Sequence, residues 1–261
     1  MKTFALVVAA LAGSASTTLG ALSFTGPALS ENFDGLPAAN VAGAFSATIG
    51  LHNAVPSLPE WFATKIAGTG TTATALTASD GSSNSGAMFS YAATASPADR
   101  ALGTLASGSN VFAFGTEIVN NTGGLLTEIT ISFDREQYRS STTTQNVLNF
   151  AYGFSGGAVT SSNYLSDAGM TADATGNVVG DAAVATNGVL VPPTTAAVSF
   201  TITGLSWGAG QSLFIRWSDT NDFGNDAGLA IDNFTFNAVP TPGSLALLGL
   251  GGLVASRRRR A

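Results

Sequence analysis

The sequence predicts an all-β protein on three observations. Its strongest apolar segments alternate with polar residues at every second position, which is typical of half-buried strands. Between Leu22 and Asn237 almost no segment repeats every 3.6 residues, as an amphipathic helix would. Stretches rich in Gly, Asn and Ser separate the alternating segments. We therefore predict a single antiparallel β-sandwich of the jelly-roll class spanning residues 22–237.

Five segments carry this alternation most clearly. In one of them, Ile129, Ile131 and Phe133 share a face, while Thr130 and Ser132 point the other way. The five segments are residues 111–119, 125–134, 147–154, 198–202 and 212–217. Weaker strands are expected around GAMFSYAA and ENFDGL.

The connecting stretches have recognisable turn chemistry. NNTGG at 120–124 and WGAGQS at 207–212 predict hairpin turns, because Asn and Gly readily adopt positive φ. Residues 68–86 are of low complexity and predict a mobile surface loop. A second long polar loop is expected from Ser155 to Pro193.

Composition excludes several classes of function. The chain has no cysteine, so disulfides, thiolate metal sites and cysteine nucleophiles are excluded. It has one histidine, His52, and no Gly-x-Ser-x-Gly motif, which argues against a serine hydrolase and a multi-histidine metal centre. All sixteen acidic residues lie between Glu31 and Asp232, where only five basic residues accompany them. This acidic balance argues against a nucleic-acid partner. We predict a non-enzymatic protein without catalytic residues.

The N-terminal segment has the layout of a secretory signal peptide. Lys2 precedes an apolar stretch from Phe4 to Ala12, and small and polar residues follow. We therefore expect residues 1–21 to be a signal peptide read by the export machinery, with cleavage near Gly20 or Ala21.

The C-terminal segment predicts a marginal membrane helix. Leu245–Ala255 is apolar but short of the ~20 residues that span a bilayer. Four arginines, Arg257, Arg258, Arg259 and Arg260, follow it and should stay on the cytoplasmic side. The helix would hold the protein transiently in the inner membrane with its main domain outside.

This tail, VPTPGSLALLGLGGLVASRRRR, resembles the PEP-CTERM sorting signal of Gram-negative bacteria. The sorting motif corresponds to Val239, Pro240, Thr241 and Pro242, and Thr241 replaces the usual Glu. The resemblance implies processing by an exosortase-like membrane protease. It also implies secretion or location in the cell envelope, alongside exopolysaccharide and biofilm matrix. An ordinary tail anchor without processing is the alternative. We assign residues 238–261 to this tail.

A second resemblance concerns the main domain. ENFDGLP near its start and DAGLAIDNFTF at its end are similar to the bracketing strands of extracellular jelly-roll modules, including MAM-type, lectin-like and carbohydrate-binding domains. The span is also similar to the globular domain found in front of PEP-CTERM tails, which has no assigned activity.

The densest polar cluster is WSDTNDFGNDAGLAIDN, and its chemistry suits calcium, which prefers oxygen ligands. A jelly roll pairs its first and last strands, which would bring Asp34 near Asp232. Strand alternation slips between Asp232 and Asn233, which predicts a bulge. The predicted ligands of a structural Ca²⁺ ion are Asp34, Asp222, Asn225, Asp226 and Asp232. The alternative is that these side chains only form turns and caps.

Two further sequence patterns are relevant to the binding or hydrolysis of carbohydrate. Asp134 and Glu136 are two residues apart on a predicted strand, a spacing compatible with a glycoside hydrolase and equally with surface ion pairs. Trp61 follows Pro59 and is predicted to stack on a sugar ring, whereas Trp217 is predicted to lie in the core. We therefore expect a structural or binding role, with polysaccharide as a partner. A carbohydrate-binding module is the first alternative, and a glycan-active hydrolase is the second.

Overall fold

The structure, a computed structural model, describes residues 20–46, 52–70, 73–93, 98–166 and 169–240. These residues form β-strands and one short 3₁₀ turn at Ala174–Gly176. The strands are β1 Leu22–Phe24, β2 Leu29–Glu31, β3 Asn53–Val55, β4 Leu58–Ala67, β5 Leu76–Ser79, β6 Ala87–Tyr91, β7 Ala101–Leu105, β8 Val111–Asn120, β9 Leu126–Arg139, β10 Val147–Phe154, β11 Thr171–Ala172, β12 Val178–Val179, β13 Val189–Trp207, β14 Ser212–Ser218 and β15 Gly228–Pro240. The prediction of an all-β protein is confirmed.

The strands form two sheets. Sheet 1 has the order β11-β10-β14-β8-β4-β3, with β1 beside β8 and β12 beside β10. Sheet 2 has the order β13-β9-β15-β7-β6-β5, with β2 beside β15. Most neighbours are antiparallel, and the parallel pairs are β1 with β8 and β5 with β6. The pairing of β2 with β15 confirms that an early strand meets the last one.

Alternating apolar side chains from the two sheets meet in one core. Ile129, Ile131 and Phe133 point inward from β9, as predicted. Trp217 is fully buried, which confirms its predicted place in the core. Its ring lies against Phe114 and Phe150 of sheet 1, with centroids 5.9 and 5.3 Å away. Burial of such large rings supplies much of the hydrophobic stabilisation.

Both predicted hairpin turns join different sheets instead of paired neighbours. The NNTGG turn leads from β8 in sheet 1 to β9 in sheet 2, and the WGAGQS turn leads from β13 back to β14. Gly123 and Gly210 do adopt the positive φ that the sequence predicted, at 78° and 75°. The prediction was right about local conformation and wrong about pairing, because turn chemistry does not specify which sheet receives the next strand.

The two predicted loops are largely ordered covers. Within residues 68–86, β5 joins sheet 2 and Leu76 is fully buried. Gly81 then lies against the backbone of Tyr138 on the outer face of sheet 2. On the other sheet, Tyr164, Leu165 and Met170 are buried against the outer face of sheet 1. The prediction missed the strand β5 within residues 68–86 and the buried apolar side chains within residues 155–193.

The end of the described chain extends past the predicted domain boundary at Asn237. Ala238 and Val239 pair with Ile129 and Glu128 of β9, and β15 ends only at Pro240. Val239 and Pro240 of the predicted sorting motif thus belong to a strand. Residues 1–19, Thr241, Pro242 and Arg257–Arg260 lie outside the described residues. Within the described ranges, no helix has the length and apolar character needed to cross a membrane.

Candidate functional site

The predicted calcium ligands fall into two separate groups. Asp34 lies near Asp232 on sheet 2, whereas Asp222 and Asp226 lie together in the loop between β14 and β15. The four residue steps from Gly228 to Asp232 alone span about 13 Å of extended strand. Calcium–oxygen bonds are about 2.3–2.6 Å long. One ion therefore cannot bind both groups. The predicted five-residue site is corrected to Asp34 and Asp232 on one side and to Asp222, Asn225 and Asp226 in the β14–β15 loop on the other.

The first group, here called the acidic network, comprises Asp34, Asp99, Glu136 and Asp232. The predicted bulge is present, because two steps on β9 face three on β15 between Asp232 and Thr235. Asn233 in the bulge has a φ of 48°. Asp232 is only 3% exposed. Burial, and then the carboxylates of Glu136, Asp99 and Asp34, raise the pKa of Asp232 to about 7.

The second group, here called the loop network, comprises Asn146, Asp222 and Asp226. The Asn146 side-chain amide donates to Asp222 Oδ2 at 2.6 Å and to Asp226 Oδ1 at 3.3 Å. Asp226 Oδ1 also accepts a hydrogen bond from the Asp222 backbone N–H at 3.1 Å. Burial and the Asp222 carboxylate raise the pKa of Asp226 to about 6. The loop network therefore holds the β14–β15 loop in one conformation.

Neither group forms a ready metal site. Among the described residues, no three His, Cys, Asp or Glu side chains are arranged to hold a metal ion. In the loop network the amide of Asn146 already donates to one oxygen of each carboxylate. In the acidic network, Asp34 accepts hydrogen bonds from Asn32 and from the Arg100 backbone. These contacts fit the alternative in which the side chains fix turns and strand ends.

Asp134 and Glu136 face the same side of β9 but have different partners. Glu136 accepts hydrogen bonds from the hydroxyls of Tyr138 and Thr195, the latter at 3.4 Å. Asp134 accepts a hydrogen bond from the side chain of Asn233 at 3.0 Å. Burial raises the pKa of Glu136, and burial together with the Glu136 charge raises that of Tyr138. Each carboxylate thus accepts hydrogen bonds from a different set of neighbouring side chains on sheet 2.

Trp61 does not offer its ring to a ligand. It is 1% exposed and packs between Phe33 and Phe234, with ring centroids 4.9 and 5.2 Å away. Its ring also stacks on Trp217 at 6.4 Å. The predicted sugar-stacking role of Trp61 is therefore wrong, because this tryptophan points from β4 into the space between the sheets.

An open patch lies on the outer face of sheet 2, on β13, β9, β15 and β2. It consists of hydroxyls and one amide, with Glu128, Asp134 and Val239 at its borders, and we call it the hydroxyl face. Most are exposed, and Thr130 and Ser132 on the central strand are half-buried. The face comprises Ser30, Thr130, Ser132, Ser199, Thr201, Thr203, Thr235 and Asn237.

Strand register aligns these hydroxyls in rows across the sheet. One row runs over four strands through Ser199, Ser132, Thr235 and Ser30. Neighbouring strands lie about 4.8 Å apart, so the row is regular. The Ser132 and Ser199 hydroxyls are 2.8 Å apart, and those of Thr130 and Thr201 in the next row are 3.1 Å apart. The rows therefore present fixed hydroxyl pairs.

A shallow cleft extends the first row at the β2 edge. It has a volume of about 520 Å³ and is lined by Ser30, Glu31, Asn32, Asn233, Phe234 and Thr235. The combination of flat rows and an edge cleft offers many neutral donors and acceptors to an extended polar ligand.

Comparisons with known proteins do not assign a family. No protein-family model matches the chain, and no curated protein matches it. Among solved structures, TmCBM61 in complex with β-1,4-galactotriose is 10% identical, with a TM-score of 0.32, over 54% of this chain and 72% of that one. The CBM22-1 xylan-binding domain of Paenibacillus barcinonensis Xyn10C is 12% identical, with a TM-score of 0.34, over 85% and 99%.

The enzymatically active domain of bacteriophage CBA120 tailspike protein 4 is also similar. It is 13% identical, with a TM-score of 0.35, and the match covers 69% of this chain but only 19% of that one. At these identities and TM-scores, the similarities assign neither a ligand nor an activity to this chain.

Sequence reasoning missed the hydroxyl face, although part of its signal was visible. SFTIT places Ser199, Thr201 and Thr203 at alternate positions of one strand, and Thr130 and Ser132 repeat the pattern on another. The missing information was register. Only the pairing of β13 with β9, and of β9 with β15, turns these separate alternations into rows.

Proposed function

We propose that this protein is an exported, non-catalytic jelly-roll domain that binds polysaccharide at the cell envelope or in an extracellular matrix. The hydroxyl face carries this proposal. Polysaccharides present many hydroxyl groups, each a donor and an acceptor, and the side chains of this face have the same character. The strand spacing of about 4.8 Å is close to the length of one sugar residue in an extended β-linked chain. A chain lying along a row would meet one strand per sugar.

Charge supports a neutral polymer over an anionic one. Asp134 and Glu136 continue the line of outward side chains along β9, and the region between the chain ends is strongly acidic. An anionic polymer would be repelled from this face at low salt. Nucleic acid is disfavoured for the same reason.

The sorting part of the proposal is supported by sequence. The signal-peptide layout, the Pro240–Pro242 motif and the Arg257–Arg260 cluster together fit export followed by processing by an exosortase-like protease. Val239 and Pro240 of the proposed motif belong to β15, so the motif overlaps the last strand among the described residues. A processed protein would keep the whole hydroxyl face.

Co-sedimentation of the exported domain with insoluble neutral polysaccharides tests the proposal. We expect binding to at least one β-linked polymer, and we expect Thr235→Arg to weaken it about tenfold, or about 1.4 kcal/mol. Thr235 lies in the middle of the four-strand row, so a long charged side chain there would break the flat surface.

The matched control is Thr171→Arg, the same change at an exposed strand position of sheet 1. Its binding should equal that of the wild type. Equal losses in both variants, or no binding of any polymer by the wild type, would remove the hydroxyl face from the function.

Calcium remains a proposal limited to the acidic network. A bound cation there would offset the mutual repulsion of Asp34, Asp99, Glu136 and Asp232, although Asp34 would have to exchange some of its present hydrogen bonds. Its role would be to stabilise the junction of β2 and β15 and not to contact the polysaccharide.

A further inference from the structure

Sheet 2 ends in one long strand, β13, at an open edge. The other strands that end the two sheets, β11, β3 and β5, have two, three and four residues, whereas β13 has nineteen. Short edge strands hinder pairing with other chains, and long edges permit it. Within the described ranges, β13 pairs only with β9, and its residues 194–203 make no other backbone–backbone hydrogen bond.

The regular part of this strand, residues 195–203, lacks the features that usually protect an edge, and we call it the β13 edge. It contains no Pro, Lys, Arg, Asp or Glu. Its pairing with β9 runs without a bulge, and the irregularities lie before Thr194 and after Thr203. Alternate residues of an antiparallel edge strand direct their backbone N–H and C=O groups outward. About half of the backbone groups in the β13 edge can therefore pair with another strand.

The side chains of the β13 edge leave apolar surface for an added strand. The Ser199 hydroxyl lies 2.8 Å from that of Ser132, so it is engaged on the β9 side. On the inner face, Phe200 and Ile202 keep 8% and 7% of their surface exposed, whereas the neighbouring Ile131 of β9 keeps none. A strand added at this edge would cover the remaining exposed surface of Phe200 and Ile202.

The β13 edge is complementary to a second copy of itself. In an antiparallel pair, two residues that lie opposite each other point to the same face. With Ser199 opposite the partner's Ser199, Thr195 lies opposite the partner's Thr203 on the outer face. On the inner face, Val198 lies opposite the partner's Phe200. Hydroxyl pairs and pairs of a β-branched with an aromatic side chain are favourable across neighbouring strands.

Charge also favours contact between copies at this edge. Sixteen acidic and five basic residues lie between Glu31 and Asp232, so two copies repel each other over most of their surfaces. The β13 edge itself carries no charged side chain. In the register centred on Ser199, one row joins Glu136 to the partner's Glu128 across three strand spacings. That is about 14 Å, which exceeds the screening length of about 8 Å at physiological ionic strength.

We propose that two copies of this chain pair through the β13 edge as a two-fold dimer with one continuous sheet. Because both copies use the same strand, the contact closes at two copies, and the four-residue β5 at the other edge offers no further site. The row of Ser199, Ser132, Thr235 and Ser30 would then extend over eight strands, about 34 Å. The use of this longer row for polysaccharide rests on the proposed function, whereas the dimer itself does not.

Sedimentation equilibrium of the exported protein, without polysaccharide, tests the dimer. We expect a species of twice the chain mass at about 100 μM protein. Ser199→Lys and Ser199→Glu should each give a single chain mass, because each substitution places two like charges opposite each other. An equimolar mixture of these two variants should restore the dimer. Thr235→Lys is the matched control, because it adds the same charge to the same face two strands away from the edge, and it should leave the dimer intact.

Because the chain has no cysteine, disulfide cross-linking gives a second test. Under mild oxidation Ser199→Cys should form a covalent dimer, since residue 199 lies opposite its own copy, and the equally outward Thr235→Cys should stay as single chains. A single chain mass for the wild type, an unchanged dimer in Ser199→Lys, no restoration in the mixture or equal cross-linking of both cysteine variants would overturn the proposal. A dimer that forms while no polymer binds would keep this inference and remove the proposed function.

Discussion

Asp232 shows how one buried carboxyl group couples local backbone geometry to the charge of the whole face. The bulge after it lets the backbone N–H and side chain of Asn233 donate to its oxygens at 2.7 and 3.1 Å. Those bonds favour the charged form, but burial and three neighbouring carboxylates oppose it. The second effect is larger, so the folded protein holds a proton on Asp232 at pH values where the unfolded chain does not.

Asp232→Asn should therefore stabilise the protein in a pH-dependent way. The folded-state pKa of about 7 lies above the ordinary value of about 3.9, so the stability that Asp232 contributes is present at low pH and is lost as pH rises toward 7. We expect the variant to gain about 2 kcal/mol over the wild type at pH 8 and almost nothing at pH 4. Urea unfolding at both pH values measures the difference.

Calcium can be tested with the same pair of proteins. If the acidic network binds calcium, the ion should raise the wild-type melting temperature above its value in chelator, and Asp232→Asn should abolish that increase. Identical wild-type midpoints in calcium and in chelator would remove calcium from the account. A gain for Asp232→Asn that is equal at pH 4 and pH 8 would show that charge repulsion is not the cause.

Single residues were the hardest features to place from sequence. Trp217 was placed correctly because it alternates with Leu213 and Ile215 on a strongly patterned strand. Trp61 was not, because the preceding Pro59 and the mixed pattern of LPEWFA hide the face on which it lies. Phe223 sits in a loop without periodicity, so only the structure shows that its ring is exposed.

At the scale of elements, the segment around Tyr164 that covers sheet 1 also forms the surroundings of His52, the one histidine of the sequence. Tyr164 stacks on Phe214 of β14 with ring centroids 5.2 Å apart, and the Arg216 side chain donates to the Tyr164 carbonyl at 3.0 Å. His52 meets the edge of the Tyr164 ring at 5.4 Å. The cover therefore buries His52 against sheet 1.

This burial predicts the titration of His52. Burial lowers the pKa of His52, and the nearby Ser161 backbone offsets this only in part. Neither ring nitrogen has a hydrogen-bond partner among the described residues. Because the folded-state pKa is below the ordinary value of about 6.5, the contribution of His52 to stability is present above that pH and is lost as pH falls below it. NMR titration of the single histidine should give a pKa below about 6.5.

A second test compares the free energy of unfolding of the wild type with that of His52→Gln, whose side chain at position 52 cannot titrate. Between about pH 7.5 and pH 5.5 the variant should lose less stability than the wild type, because only the wild type must keep a histidine neutral. A histidine that titrates at its ordinary pKa, or a variant with the same pH profile as the wild type, would show that the cover leaves His52 in contact with water.

Strands could be predicted from sequence where the apolar alternation is strong. The sheet to which each strand belongs could not, because it depends on pairing between distant segments. The five predicted strands are all present, because alternation over five or more residues reports a half-buried strand directly. The assignment of strands to sheets was not predictable, since β8 and β9 are joined by a short turn yet belong to different sheets. The ordered covers were missed because Gly-rich and Ser-rich sequence resembles a loop even when it packs.

The whole molecule places the hydroxyl face on sheet 2, while a cover closes the outer face of sheet 1. The hydroxyl face depends on strands that are far apart in sequence, since β2 near the start pairs with β15 at the end. No local pattern predicts such a face. Its side chains are small, and the opposite side of the same strands fills the core.

A map of amide chemical shifts in the exported domain, during titration with a soluble neutral β-linked polysaccharide fragment, tests the central claim most directly. We predict that shifts concentrate on the outward residues of β9, β13, β15 and β2, including Ser132, Ser199 and Thr235. Shifts confined to the cover around Tyr164 on sheet 1, or no shifts with any neutral fragment, would contradict the claim that sheet 2 is the polysaccharide-binding surface.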